Sequence, residues 1–330
     1  MTNGEGIDKK GNEKPRRRVS GDLIAFAVLT LALLAGPFLV YPVLLMQVLC
    51  FALFALAFNL LIGYAGLLSF GHAMFFGFSA YVSAYTVKSW GFSTELGLLS
   101  GTTVAALLGL VTGLIAIRRQ GIYFAMVTLA LAQMVFFFCL QAPFTGGEDG
   151  IQAIPRRPLF GLLDVSDDLA FYYVVLAVFT LGFLVIYRTI HSPFGQVLKA
   201  IRENEARATS LGYAVDRFKL IAFVLSATLA GLAGATKALV MQLASLTDVT
   251  WQMSGEVVLM TLLGGMGTVF GPIVGAAVII FMQNRLAWLG EWVLVMQGVI
   301  FVVTVLVFRR GLVGEIVALA RRRRPVPAEG

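Results

Sequence analysis

The chain alternates between long apolar runs and short polar stretches, a spacing typical of helices that cross a membrane. A spanning helix needs roughly 20 mostly apolar residues. The pattern predicts an all-α polytopic membrane protein with about nine to ten membrane segments. Pro42 separates the first two runs, because a proline inside a helix removes a backbone hydrogen bond. The predicted spans are 23–41, 43–62, 67–87, 96–117, 122–141, 170–187, 219–240, 273–289 and 292–308.

A shorter apolar stretch at 256–266 determines whether the chain crosses the membrane an even or an odd number of times. The basic residues of the loop 188–218 and of the stretch after residue 308 belong on the cytoplasmic side by the positive-inside rule. Both conditions hold only if 256–266 is a separate short or re-entrant segment and both termini are cytoplasmic. The chain break that this segment requires is supplied by Gly264, Gly265, Gly267, Gly271 and Pro272.

Composition excludes the soluble classes of protein. Hydrophobic residues make up 58% of the chain and charged residues only 13%, whereas soluble domains are nearer a quarter charged. The net charge of +7 comes largely from basic clusters at the ends of apolar runs, which is typical of membrane flanks and not of a nucleic-acid-binding protein. Cys50 and Cys139 lie inside apolar runs and are predicted to pack, and no metal-type spacing is present.

The predicted organisation has a basic N-terminal arm (1–22), a membrane domain (23–308) and a basic tail (309–330). The apolar core after the arm is longer than that of a secretory signal and has no clear cleavage site, so we expect a retained span. Within the membrane domain, the loop 188–218 is expected on the cytoplasmic side and the loop 142–169 on the external side.

The predicted cytoplasmic loop has the most informative local pattern. Pro193 and Gly195 can open a helix there, and Gly212 can close it as a C-terminal cap. One helix between them would have a small apolar face and a densely charged one, which suits docking into a partner's groove. An ordinary solvated loop explains the pattern equally well.

Two glycine-containing stretches are similar to each other. Residues 61–66 read LIGYAG and residues 262–267 read LLGGMG, and each precedes a glycine-punctuated apolar run. Transporters often contain repeats with interrupted segments in corresponding places. The alternative is that membrane helices are simply rich in glycine.

Several motifs together resemble a known family. The pattern Glu205-Ala206-x-Ala208-x-x-x-Gly212 is similar to the EAA-type loop of ABC importer permeases. The supporting stretches are 59–72 (NLLIGYAGLLSFGH), 123–134 (YFAMVTLALAQM), 144–150 (FTGGEDG) and 264–272 (GGMGTVFGP). In this order, over about residues 45–290, the chain resembles the branched-chain amino acid permease family.

The resemblance implies a binding-protein-dependent importer of the bacterial inner membrane. A second, related permease subunit would complete the pathway, two cytoplasmic ATPase subunits would bind ATP, and an external binding protein would deliver leucine, isoleucine or valine. Because this chain lacks the G-x-x-x-x-G-K-[ST] motif, we expect no enzyme activity and no cofactor in it. The residues implied to couple to the ATPase are Gly195, Lys199, Arg202, Glu203, Asn204, Glu205, Ala206 and Gly212.

Polar residues within the predicted spans are candidates for a translocation pathway, because facing lipid would be costly. For His72 the alternative is a neutral histidine bonded inside the bundle. The pathway candidates are Asn59, His72, Thr128, Gln133 and Glu256. The external sequence Thr145, Gly146, Gly147, Glu148 and Asp149 has turn composition, and by the resemblance it is a candidate contact for the binding protein.

We further expect weak polar contacts along the pathway and no deep charged site. Lys237, at the outer end of a predicted span, is expected to snorkel toward the membrane surface. Urea and amide importers resemble the same family and remain an alternative. An ion-coupled secondary transporter is a second alternative, although the spans contain almost none of the acidic residues that such coupling uses.

Overall fold

A computed structural model describes residues 18–159, 161, 165–290, 292–307 and 311–315. Most of the predicted arm (1–17) and tail (309–310 and 316–330) lies outside these residues. The strands β1 (Ile151–Gln152) and β2 (Leu243–Ala244) form an antiparallel pair. The helices are α1 (Arg18–Ala35), α2 (Pro42–Asn59), α3 (His72–Lys88), α4 (Thr94–Ala116), α5 (Ile122–Gln141), α6 (Asp168–His191), α7 (Pro193–Glu203), α8 (Glu205–Ser210), α9 (Val215–Met241), α10 (Trp251–Gly264), α11 (Gly271–Leu286) and α12 (Trp292–Val307).

Five helical segments among the described residues are long and apolar enough to cross a membrane. These are Pro42–Ala65 (α2 with the turn that follows it), α4, α5, α6 and α9. Other apolar helices are shorter: α10 has 14 residues and is about 21 Å long, against roughly 30 Å of hydrocarbon core. The chain is therefore an all-α polytopic membrane protein, and the number of crossings stays a prediction.

Helix boundaries differ from the predicted spans where the backbone turns within an apolar run. The predicted span 122–141 coincides with α5. The predicted span 67–87 begins too early, because Gly66 turns the chain with a φ of +73° and α3 begins only at His72. The helices α6 and α9 both extend into the predicted loop 188–218, since backbone hydrogen bonds continue after the side chains become polar.

The centre of the bundle is α2, which packs against α6, α9, α10 and α11. In the most apolar 18-residue stretch of Pro42–Ala65, 83% of the residues are buried. A helix surrounded in this way has no need of a polar face, which explains its uniformly hydrophobic sequence. Pro42 occupies the first turn of α2, where its missing N–H removes no helical hydrogen bond.

Small residues bring α3, α4 and α9 into close contact. A side-chain carbon at Gly234 would overlap the carbonyl oxygen of Phe76, and one at Gly231 would overlap the side chain of Ala105. In a membrane, where lipid is as apolar as leucine, such close backbone packing is a principal source of helix association.

The segments that connect the helices form two groups, which lie on opposite sides of the bundle. On one side, Gln120 after α4 bonds Glu205 of α8. On the other side, β1 and β2 join the segments that follow α5 and α9, and Lys88 at the end of α3 donates to the carbonyl of Gln152 in β1. Successive long helices therefore run in alternating directions, as the predicted topology requires.

Candidate functional site

The helix α7 begins immediately after α6 through a tight turn. The side chain of Ser192 accepts a hydrogen bond from the N–H of Gly195 at 3.3 Å, and Pro193 occupies the first turn. A side chain at Gly195 would overlap the carbonyl oxygen of Ile190. The absence of a side chain at this position therefore allows α7 to fold back on the end of α6.

Neither one continuous helix nor an ordinary loop spans Gly195 to Gly212, because the chain forms two helices, α7 and α8, that meet at Asn204. This residue has an extended backbone, and its Oδ1 accepts from the N–H of Arg207 at 2.9 Å. Asn204 thus ends α7 and caps α8, as a short polar side chain does at a helix N-terminus. Gly212 follows α8 with a φ of +86°, in agreement with its predicted role as a C-terminal cap.

Glu205 joins α8 to two other elements of the same chain. One carboxylate oxygen lies 2.7 Å from Nζ of Lys219 in α9, and the other accepts from Nε2 of Gln120 at 2.9 Å. The Lys219 side chain is only 4% exposed, so Glu205 neutralises a buried charge. Sequence reasoning assigned Glu205 to the ATPase contact and missed these partners.

The opposite face of α8 and the turn after it are open. Ala206 and Arg207 of α8 are exposed, and Leu211 after it is 68% exposed. Glu203, at the end of α7, is exposed as well. These residues lie on the same side of the bundle as the α4–α5 turn, since Glu205 of α8 bonds Gln120 in that turn.

The inner face of α7 meets two breaks in the membrane helices. The first is the turn Leu60–Ala65 with Gly66, and the second is 265–270, between α10 and α11. Arg202 donates from Nη1 to the carbonyl of Gly63, and the ammonium of Lys199 lies 5.5 Å from the ring centre of Tyr64. We name these two breaks and the α7 side chains on them the break junction.

Asn59 ties the two breaks to each other. Its Nδ2 donates to the carbonyl of Thr268 and its Oδ1 accepts from the N–H of Gly267, both at 2.9 Å. The hydroxyl of Tyr64 adds a bond to the carbonyl of Gly267 at 3.1 Å. The residue predicted as a pathway candidate thus satisfies backbone groups that the breaks leave without helical partners.

His72 and Thr128 lie inside the bundle. The ring of His72 is surrounded by the side chains of Phe58, Phe75 and Phe223, and its Nε2 is 2.8 Å from Oγ of Ser226. Thr128 is also buried and bonds a carbonyl of its own helix. Their part in a pathway is untested, and these contacts match the alternative of a histidine bonded within the bundle.

Gln133 and Glu256 are the more accessible pathway candidates. Both are half-buried, and Gln283 of α11 donates to Oε1 of Glu256 at 3.0 Å. Next to Glu256 in α10, Gly255 has open space where a side chain would stand. The structure does not bring Gln133 or Glu256 to the break junction.

The external sequence after α5 forms the turn that its composition predicts. The hydroxyl of Thr145 is buried and bonds the carbonyl of Cys139 at 2.6 Å. Gly146 and Gly147 both have positive φ, +78° and +61°. Glu148 and Asp149 are exposed, and their contact with a binding protein stays a prediction.

Comparisons with known proteins agree with these features. A family model described as the permease component of a branched-chain amino acid transport system matches residues 41–305. The chain belongs to this family. The high-affinity branched-chain amino acid transport permease proteins LivM of Salmonella typhimurium and Escherichia coli are each 30% identical to it over 285 residues, covering 79% of this chain and 67% of the relative.

An archaeal relative is more distant. A probable branched-chain amino acid transport permease protein LivM of Methanocaldococcus jannaschii is 29% identical over 189 residues, which cover 54% of this chain and 53% of the relative. No solved structure matches the chain significantly.

A buried ion pair links α9 to the segment that follows it. Nζ of Lys237 in α9 lies 2.6 Å from Oδ2 of Asp248, and the two side chains are 9% and 3% exposed. The expectation that Lys237 snorkels is wrong, because Gln242 reverses the chain with a φ of +52° and returns Asp248 to the helix. This pair is an exception to the expectation that the bundle contains no deeply buried charged site.

Arg156 of this permease was not predicted as a functional residue. Its guanidinium donates to the carbonyls of Leu239 and Val240 and to the carboxylate of Asp168. The two carbonyls belong to the last turn of α9, where intrahelical donors are missing. Arg156 therefore holds the segment between α5 and α6 against the end of α9.

Proposed function

We propose that the chain is the transmembrane permease subunit of an ABC importer that moves leucine, isoleucine, valine or a related hydrophobic amino acid into the cell. ATP bound by separate ATPase subunits drives the movement, and this chain binds no cofactor of its own. Family membership supports the proposal, as do the names of the relatives, which are branched-chain amino acid permeases.

The observation that carries the coupling part of the proposal is the two-sided character of α7 and α8. Ala206 and Arg207 of α8 and Leu211 after it are exposed, and Arg202 of α7, which is also exposed, donates from its guanidinium to the carbonyl of Gly63 in the break junction. A partner that moves these exposed residues would therefore move the contact with Gly63 as well. Such movement biases a membrane domain only if the contacts differ between its two states.

The side of the bundle that carries α7 and α8 is proposed to be cytoplasmic. Basic residues concentrate on this side, as the positive-inside rule requires: Arg188, Lys199, Arg202, Arg207 and Arg217. With alternating helices, this orientation gives about ten crossings, cytoplasmic termini and an external loop 142–169. The membrane is proposed to be the bacterial inner membrane.

The proposed partners are two ATPase subunits, a second related permease subunit, an external amino-acid-binding protein and the lipid bilayer. Glu148 and Asp149 are the proposed contact with the binding protein, since both are exposed on the external side. Gln133 and Glu256 are the proposed pathway residues. Asn59, His72 and Thr128, which we also predicted, would join the pathway only after the bundle opens. No nucleic-acid partner is proposed.

Uptake by the assembled transporter tests this function. The chain is reconstituted in proteoliposomes with its second permease subunit, ATPases and binding protein, and labelled leucine uptake is measured. We expect uptake that needs ATP on the side of the membrane where the ATPase subunits lie and that is unaffected by ionophores. Uptake that survives without ATP but requires an ion gradient would indicate a secondary transporter. Transport of urea or short amides in place of leucine would contradict the substrate.

Variants of α8 test the coupling assignment. Glu205→Gln and Gly212→Val are expected to abolish uptake without preventing membrane insertion. Because Glu205→Gln also leaves Lys219 as a buried unpaired charge, the double variant Glu205→Gln/Lys219→Met separates the two effects. Arg188→Gln, an exposed arginine on the same side, is the matched control.

The coupling assignment predicts that the double variant regains stability but still takes up no leucine. If the double variant transports normally, Glu205 contributes only to folding and the assignment is wrong. Insertion is checked by accessibility of the α7–α8 segment to protease on the inner side.

A further inference from the structure

Arg202 has contacts with both helix breaks, although it belongs to a helix outside the membrane bundle. Its Nη1 donates to the carbonyl of Gly63 in the first break. The ideal position of a side-chain carbon at Gly66 lies 2.9 Å from its Cγ. The corresponding position at Gly267, in the second break, lies 3.5 Å from its Nη1. The arginine side chain therefore lies over both breaks.

The two breaks behave as one unit because they are bonded to each other. Asn59 and Tyr64 of the first segment make three hydrogen bonds to the backbone of Gly267 and Thr268 in the second. The backbones also approach closely, since a side-chain carbon at Gly63 would lie 2.8 Å from the nitrogen of Gly267. A force applied to Gly63 is thus passed to the start of α11.

The breaks are also the places where this part of the bundle can change shape most easily. A regular helix resists bending because each turn has its full set of hydrogen bonds, whereas a π-type turn or a glycine break has carbonyls outside that set. The carbonyl of Gly63 receives a charged donor, and such bonds are about twice as strong as neutral ones. Arginine also has several donors in a fixed plane, which lysine lacks.

We propose that Arg202 is the positioning residue that transmits displacement of α7 to the break junction, and through it to α2 and α11. This proposal rests on the proposed function and deepens it. It separates the residues of the α7–α8 loop into two groups. Arg207 meets the ATPase, whereas Arg202, although also exposed, bonds Gly63 through its guanidinium and determines whether ATPase movement reaches the membrane helices.

The test compares ATP hydrolysis with leucine uptake in the complete reconstituted transporter. For Arg202→Gln, we expect normal binding of the ATPase subunits and continued ATP hydrolysis. The number of leucine molecules taken up per ATP should fall about tenfold or more, because a charge-assisted hydrogen bond is lost. Arg202→Lys keeps the charge and N–H donors but not the planar guanidinium, so it should recover part of the ratio.

Two further arginine-to-glutamine variants serve for comparison. Arg207→Gln, on the exposed face, is expected to weaken ATPase binding while leaving the uptake per ATP unchanged. Arg188→Gln, near the end of α6, is expected to change neither quantity. A normal ratio in Arg202→Gln, or the same loss of ATPase binding in it as in Arg207→Gln, would overturn the proposal.

A distance measurement keeps the proposal testable if Arg202→Gln does not assemble. Spin labels at Gln196→Cys in α7 and Met266→Cys in the second break occupy exposed positions. Transmission through Arg202 predicts that their separation stays constant between the nucleotide-free and ATP-trapped states. A change of several ångströms would show that α7 moves independently of the junction. If the unsubstituted transporter shows no ATP-driven uptake at all, it is the proposed function that fails.

Discussion

The buried pair of Lys237 and Asp248 gives a quantitative test of the packing between α9 and the segment that follows it. Each charge has the other as its ionic partner, at 2.6 Å and with side chains 9% and 3% exposed. Removing one member of such a pair typically costs about 3–5 kcal/mol, because the other charge stays buried without compensation. We expect Lys237→Met and Asp248→Asn each to lower the free energy of unfolding by this amount.

The double variant Lys237→Met/Asp248→Asn should be more stable than either single variant. It contains no unpaired charge, and the remaining cost is that of an incompletely bonded amide, about 1–3 kcal/mol. The neighbouring hydroxyl of Ser245, 3.4 Å from Asp248 Oδ2, can accept a hydrogen bond from that amide and reduce the cost. The two single losses sum to about 6–10 kcal/mol, so the double-mutant cycle should give a coupling energy of several kcal/mol.

The cycle is measured by unfolding in mixed detergent micelles, with helical circular dichroism as the signal. Lys88→Met is the matched control, because this lysine is exposed and only donates to the carbonyl of Gln152; its loss should cost less than about 1 kcal/mol. If the double variant loses the sum of the two single losses, the charges do not depend on each other and the ion pair is not the reason for their burial.

Five other changes follow from close contacts and backbone geometry, with the melting temperature in detergent as the common readout. Gly234→Ala should destabilise by about 3 kcal/mol, because its side chain would overlap a carbonyl of α3, whereas Gly255→Ala, in open space, should be neutral or slightly stabilising. Arg156→Gln should cost about 2–3 kcal/mol through lost charged hydrogen bonds to the end of α9. Gly212→Val should cost about 1–2 kcal/mol from its positive φ alone, and Gly212→Asn should cost less, since asparagine adopts this conformation more readily. Equal melting temperatures for the two members of the glycine-to-alanine pair, or for the two Gly212 variants, would contradict the respective reason.

Local sequence predicts a helix well where its ends are also signalled locally. The span 122–141 predicted from its apolar run coincides with α5, and in the structure Gly121 precedes this helix with a φ of +58° and Pro143 follows it. The start of α3 was predicted too early because residues 67–71 continue the apolar run. Hydropathy does not distinguish an apolar helix from an apolar connection, and here the backbone turn at Gly66 ends the helix.

The contacts made at the site could not be predicted, because the contacting residues are distant from each other in the sequence. A motif placed Arg202 and Glu205 in one loop, but their contacts are with Gly63, 139 positions away, and with Gln120, 85 positions away. Which side chains face inward therefore depends on the packed bundle. Lys237 and Asp248 are only 11 positions apart, yet their pairing required the reversal at Gln242, a non-glycine residue with positive φ, which no local pattern indicated.

The similarity between residues 61–66 and 262–267 has a packing explanation. Both stretches end at a glycine with nearly the same backbone angle, φ +73° at Gly66 and +71° at Gly267. The two chain breaks lie against each other, and Gly63 meets the backbone nitrogen of Gly267 where a side chain would have no room. Gly66 and Gly267 both need glycine for a positive φ, and Gly63 needs it for its close contact with Gly267. This part of the likeness therefore follows from the backbone of the two breaks, whether or not the chain contains an ancestral repeat.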